Sequence, residues 1–200
     1  MRKLEVPQPL KTEFATIELI WHSSAMTRRV DSLLLSWVKY EKQLRRLFSF
    51  FVFQHPKITI HTLDSTISAF ASNRNLKPET FIVGLTKLGI DDPKSILGEK
   101  YNSLWPEVNR IREYRNKIMH GQHTGQKIGS PQLERDVLIL IDWMSCIGNA
   151  YDEKYGYDGL RRKVYFAAKS NSNLNVGEYP FSSPSELQQW LSKLKVKANN

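Results

Sequence analysis

Arg110-Ile-Arg-Glu-Tyr-Arg-Asn-Lys-Ile-Met-His120-Gly121 decides the reading of this chain, because an apolar helical face here carries an arginine where a hydrophobe is expected. At about 100° per residue, Leu104, Val108, Ile111, Ile118 and Met119 fall on one side of a helix, with Tyr101 and Trp105 on its shoulder. Arg115 lies at the centre of that stripe, so its guanidinium is expected in or beside a packed region, where an unpaired charge is costly. Asn116 and His120 are four apart and stack on an adjacent face, and Arg112 continues their row one turn towards the N-terminus. Gly121 stands where a helix stops, which places the imidazole of His120 on the last turn, reachable and able to titrate. The same residues have quieter roles open to them. An arginine on an apolar face caps carbonyls or pairs with a carboxylate such as Glu107 or Glu113, and a histidine at a helix C-terminus is a favourable charge on the dipole.

Upstream of this stretch the pattern is helical throughout. Residues 1 to 11, with Pro7 and Pro9, read as an arm, and Thr12 to His22 as a helix, although a strand fits its apolar content too. From about Ser24 to Phe53, hydrophobes at Met26, Val30, Leu33, Leu34, Trp37, Leu44, Leu47, Phe48 and Phe51 recur at three- and four-residue steps, predicting one long amphipathic helix. Its other face, with Arg28, Arg29, Lys39, Lys42, Arg45 and Arg46 against Asp31 and Glu41, reads as solvated. Leu63, Ile67 and Phe70 mark a short helix. Pro78 and Asp92-Pro93 are start signals for two more, the first ending at Gly89. The helix carrying the arginine is expected to be capped by Ser103, with Pro106 in its tolerant first turn, and Tyr114 on a different face from Arg115.

Downstream, Gly121 to Gly129 forms a loop containing His123 that overhangs the end of this helix. Ser130-Pro131 opens a helix so apolar from Leu133 to Ile147 that it belongs at the centre of a bundle, with Tyr151 to Tyr157 as a possible extension. After it come an irregular segment with a short strand expected at 163–166, then the capping box Ser183-Pro-Ser-Glu186 and a docked helix with Leu187, Trp190, Leu191 and Leu194 on its stripe. The predicted fold is all-α. It divides into a helical domain over 1–155 and a C-terminal extension, 156–200, packed on the same domain.

Two hundred residues with 40% hydrophobic content suffice for one sizeable core. The single cysteine, Cys146, excludes an intrachain disulfide and reads as a small buried hydrophobe, which fits a reducing cytoplasm. The first residues lack the apolar run of a signal peptide, and no stretch is long and apolar enough for a membrane span, so a cytoplasmic protein without a membrane partner is expected. A formal charge of +9 and a pI near 9.6 imply a polyanionic partner, most commonly nucleic acid. Gly-rich phosphate loops, H-E-x-x-H, C-x-x-C and nucleophile elbows are absent from the sequence. His120 and His123 lack a neighbouring acid or cysteine to complete a metal site, so neither metal nor cofactor is expected.

Arg115-Asn116-Lys-Ile-Met-His120 resembles the R-polar-x3-H signature of the HEPN superfamily, small all-helical domains found in many RNA-cleaving proteins. The resemblance covers the six-residue motif and its helical setting. It implies a HEPN-like helical bundle, a metal-independent endoribonuclease acting as a toxin or antiviral effector, and a homodimer that brings two motif helices to one cleft. It also implies Arg115, Asn116 and His120 as catalytic residues, and an antitoxin or regulatory protein as a further partner. Arg112, Lys117 and His123 are the candidate RNA contacts around them. The residue types suit the chemistry, since RNA supplies its own 2′-hydroxyl nucleophile, imidazole moves protons and a guanidinium stabilises the extra charge on phosphorus. One motif histidine per chain leaves the second proton-transfer group to the other copy of the implied dimer. Gln122 stands where one branch of the family has a tyrosine that is adenylylated, so that regulation is not carried over. Some members have no activity, and a catalytically silent RNA-binding or interaction module is the alternative.

Overall fold

The last turns of the longest apolar segment hold Leu47, Phe48, Phe50, Phe51, Val52 and Phe53, more hydrophobes than one helical face accommodates, and all of them are buried. Such a helix has to be surrounded. The computed structural model describes residues 3–73, 76–125, 128–161, 176 and 178–194. Among these there are eight α-helices and no strand: α1 (Lys11–His22), α2 (Arg28–Phe53), α3 (Leu63–Ala71), α4 (Pro78–Lys87), α5 (Pro93–Leu97), α6 (Glu99–Met119), α7 (Ser130–Tyr155) and α8 (Pro184–Lys193), with short 3-10 turns at Gln8–Leu10 and Ile60–Thr62. The all-α expectation holds. The expected strand at 163–166 lies outside the described residues.

α2 and α7 form the spine. α2 packs against α1, α4 and α7, while α6 lies along α7 and α8 docks on α3. Trp143, Met144 and Ile147 of α7 and Tyr40, Leu44 and Leu47 of α2 are all essentially inaccessible to solvent, and one hydrophobic cluster runs from Leu4 to Leu194. Tyr157, Leu160 and Phe181 join it, so the described part of the C-terminal extension shares the core of the helical domain. Where α4 crosses α2, a Cβ on Gly84 would stand 2.4 Å from the Phe48 ring, which allows no side chain there without a shift.

Several local expectations are corrected. α2 starts at Arg28, so Met26 precedes the helix and is 99% exposed. Arg29 is not on a solvated face: it is buried over the Trp21 ring, donates to the Trp21 carbonyl at 3.0 Å and pairs with Glu134 at 2.6 Å. Lys39, Lys42 and Arg46 converge on Glu13 of α1 at 3.3, 2.9 and 2.7 Å, a packed charge cluster between two helices. Cys146 is half-buried, with its sulfur 3.8 Å from Asp142, and burial pushes its thiol pKa up. The extension of α7 stops at Tyr155, where Gly156 takes a positive φ of 70°. At α8, Ser183 accepts from the Glu186 N–H as expected, but the Glu186 carboxylate accepts from the backbone and hydroxyl of Ser182 instead of closing the box on Ser183.

α6 also begins earlier than the cap signal indicates. Gly98, at φ 55° and ψ −121°, breaks the chain between α5 and α6, and Ser103 lies inside the helix with its hydroxyl donating back to the Lys100 carbonyl. Pro106 therefore sits in the helix interior. The carbonyl it leaves unpaired one turn back belongs to the exposed Asn102, where water can satisfy it.

Candidate functional site

The rotation of α6 is set by a buried carboxylate on α7. Asp136 is fully buried, and its Oδ1 accepts from Arg110 Nη2 at 2.6 Å and from Gln132 Nε2 at 2.8 Å, while the Tyr114 hydroxyl donates to Oδ2. Burial and the Asp136 hydrogen bond push the Tyr114 pKa up. Burial opposes the Arg110 charge, but Asp136 and Glu107 more than offset it and hold the guanidinium above its ordinary pKa. Tyr114, with Val108 and Ile111, is thus the core-facing residue of this helix. Arg115, about 100° further round, is turned away from α7 towards α2. The expectation that Arg115 occupies the centre of a packed stripe is corrected to its margin. Ile118 is half-buried and Met119 is 56% exposed, because the last turn of α6 runs beyond the bundle.

At that margin Arg115 is 19% exposed and meets α2. Its Nη2 is 3.3 Å from Glu41 Oε1, its Nη1 donates to Asn116 Oδ1 at 2.9 Å, and its guanidinium carbon lies 5.6 Å from the centroid of the Trp37 ring. Glu41 Oε1 also accepts from the Trp37 indole at 2.7 Å. Among the described residues, the buried Arg115 Nε–H meets no hydrogen-bond partner. The carboxylate that meets Arg115 is therefore neither Glu107 nor Glu113 but Glu41, a residue whose place in the pattern suggested a solvated face. One turn before Arg115, Arg112 Nη1 donates to Glu79 of α4 at 2.8 Å.

α6 ends as a Schellman motif: the Gln122 N–H reaches the Lys117 carbonyl at 2.8 Å, the Gly121 N–H reaches that of Ile118 at 3.1 Å, and Gly121 has a φ of 63°. This leaves His120 exposed at the C-terminal end of the helix. Arg112, Arg115, Asn116 and His120 open on one hollow of about 730 Å³, closed on its other sides by Trp37 and Glu41 from α2 and by Lys77, Pro78 and Glu79 at the start of α4. The expected catalytic trio is thus gathered on a single surface. Lys117 and His123 stand apart from it: the Lys117 ammonium donates to the Thr124 carbonyl at 3.3 Å and pins the loop that carries the exposed His123.

No protein-family model, curated protein or solved structure matches the chain. What the hollow can do follows from its own side chains. It holds an imidazole open to solvent, two guanidiniums, an ammonium, a primary amide and three carboxylates, of which Glu41 and Glu79 each pair with one arginine while Glu113 accepts from Asn109. Among the described residues, no three His, Cys, Asp or Glu side chains converge as metal ligands. Trp37, Glu41, Lys77 and Glu79 are the site residues that sequence reasoning missed. The available signal was the Trp37–Glu41 spacing of four, which puts both on one face of α2.

Proposed function

We propose that this chain is a metal-independent endoribonuclease of the HEPN type, cutting RNA by attack of a 2′-hydroxyl on the adjacent phosphate at a site shared by two copies of the chain. The observation that carries the reading is that Arg115 and His120 open on the same hollow, with Asn116 between them. A phosphate seated there meets the Arg115 guanidinium, which is 19% exposed at the edge of the hollow. As the 2′-oxygen bonds to phosphorus and the bond from phosphorus to the 5′-oxygen breaks, one imidazole takes the 2′-hydroxyl proton and a second protonates the departing 5′-oxygen. A single chain offers one such imidazole in this hollow, so the second is His120 of another copy, with the exposed Met119 beside it as part of the contact. Arg115 stabilises the charge that builds on the non-bridging oxygens. The net charge of +9 favours the polyanionic substrate.

The test is cleavage of RNA in EDTA by wild type, Arg115→Ala, His120→Ala and Asn116→Ala, with sedimentation of each. The two first-named variants are expected to lose on the order of a hundredfold or more in rate while keeping helical content and the dimer, and Asn116→Ala is expected to lose less. Products should end in a 2′,3′-cyclic phosphate or the 3′-phosphate derived from it, and DNA, which lacks the nucleophile, should be spared. Full activity in His120→Ala, a strict Mg²⁺ requirement, or a monomeric active species sinks the mechanism. One observation favours a second reading: Glu41 and Glu79 already pair both arginines, as in a site that is only structural. On that reading the chain is a catalytically silent RNA-binding or interaction module, and it binds RNA without cutting it.

A further inference from the structure

Beside the motif hollow lies a second one of about 600 Å³, and the two share Glu41, Lys77 and Pro78. Much of its wall is apolar, with Val38 of α2, Ile67 and Phe70 of α3, Leu76 just before α4 and Phe81 within it, and the amide of Asn73 among them. Val38 and Ile67, 47% and 49% exposed, both line it, and it stands open among the described residues. Its rim differs from that of the motif hollow in one respect. There both arginines are neutralised by carboxylates, whereas Arg45, which lines the second hollow alone, and Lys77, which stands where the two meet, are both exposed and form no ion pair among the described residues. The acid at the junction, Glu41, is itself occupied by Arg115 and the Trp37 indole.

We propose that this second hollow seats a nucleobase of the RNA strand whose scissile phosphate lies against Arg115 and His120. The proposal rests on the ribonuclease reading of the neighbouring hollow. An apolar slot with unneutralised cations at its edge matches a ligand that is apolar on its flat faces and anionic along its backbone, which is the alternation of a single-stranded nucleic acid. Continuity across Glu41, Lys77 and Pro78 leads a strand seated in one hollow directly into the other. Recognition of this kind tolerates different bases, because each presents an apolar face and the cations hold only the backbone. Ile67 and Phe70 then contact the base, and Arg45 and Lys77 the phosphates on either side of it.

The experiment compares binding of a short 2′-O-methyl RNA, which cannot be cut because its nucleophile is blocked, with binding of its abasic counterpart carrying the same phosphates. Wild type should prefer the base-bearing strand by about tenfold. Ile67→Asp, which puts a charge into the apolar wall, should abolish that preference, and Ile67→Leu should keep it. Arg45→Glu, at an exposed position that leaves the core untouched, should weaken both strands in parallel and leave the preference intact. Equal binding of the two strands by wild type, or a preference unchanged in Ile67→Asp, overturns the proposal. The same holds if an acidic peptide displaces RNA from wild type but not from Ile67→Asp, since the hollow would then be a protein-docking site. Cleavage of ordinary RNA is scored separately. Base preference without cleavage leaves the subsite standing and removes the ribonuclease reading, and cleavage without base preference does the reverse.

Discussion

Glu41 receives two donors on one oxygen, the Trp37 indole and the Arg115 guanidinium, so that on the proposed reading it competes with an incoming phosphate for that charge. Glu41→Gln keeps an oxygen for the indole and removes the competition. Its affinity for non-cleavable RNA should rise several-fold at low salt, and the dependence on salt should steepen by about one counterion, because one more cation is free to neutralise a phosphate. A titration by fluorescence anisotropy at two salt concentrations measures both, and unchanged or weaker binding shows that Glu41 does not restrain the site. That this residue matters was not legible in the sequence. A glutamate among lysines and arginines on a helix has the same pattern whether water or another helix faces it, and only the position of α6 decides. Asp136 escaped notice for a related reason. An acid in a long apolar helix, here one of several, reads as a residue that points outward, whereas Arg110, Tyr114 and Gln132 gather round this one.

Among the elements, α6 shows what periodicity conveys and where it stops. The spacing of Val108, Ile111, Ile118 and Met119 identified a helix with an apolar side, and the Gly121 stop was met as a Schellman turn. The centre of the apolar side was misplaced because Ile118 and Met119 were weighted as core residues. They lie on a turn that projects past the bundle, so the buried arc shifts towards Tyr114. The start was missed because Ser103 looks like a cap in sequence while Gly98, in a positive-φ conformation, does the breaking. Pro106 consequently interrupts a helix in its interior, which costs stability through the missing N–H and ring crowding. Pro106→Ala should raise unfolding free energy by about 1–2 kcal/mol, the helical gain being partly offset by the freer unfolded chain. A denaturant melt checks this, and a loss of stability would mean that the proline contributes to the seating of α6 on α7.

For the molecule as a whole, α1 is fastened to the spine by the Glu13 cluster as well as by its apolar face. Burial raises the Glu13 pKa, but hydrogen bonds and charge from Lys42 and Arg46 outweigh it and leave it lowered from 4.5 to about 2. A carboxyl whose folded pKa is depressed adds stability that is fully present above its unfolded pKa and is lost as pH falls through the folded one. Unfolding free energy should therefore decline between about pH 5 and pH 2, and Glu13→Gln should be less stable than wild type at neutral pH with a flatter profile across that window. Chemical denaturation at a series of pH values reads both curves, and parallel curves would mean that Glu13 contributes nothing to the acid limb. The all-helical class and most helix positions were legible because hydrophobic spacing and proline or glycine punctuation are local properties. The hollow between α2, α4 and α6 was not, since it depends on three segments far apart in the chain that no local pattern relates.

Trp37 gives the site an optical readout of its own. Its indole is 2% exposed, donates to Glu41, and lies under the Arg115 charge. The emission energy of an indole follows the electric field across its ring, and Glu41 and Arg115 are the charges that meet it directly. A ligand that draws the guanidinium off Glu41 changes the field without touching the tryptophan, so the emission maximum should move on addition of RNA. The change should vanish in Trp37→Phe, while Trp21, Trp105, Trp143 and Trp190 provide a constant background. Occupancy of the hollow can thus be followed in the unlabelled protein, in real time, by ultraviolet fluorescence alone.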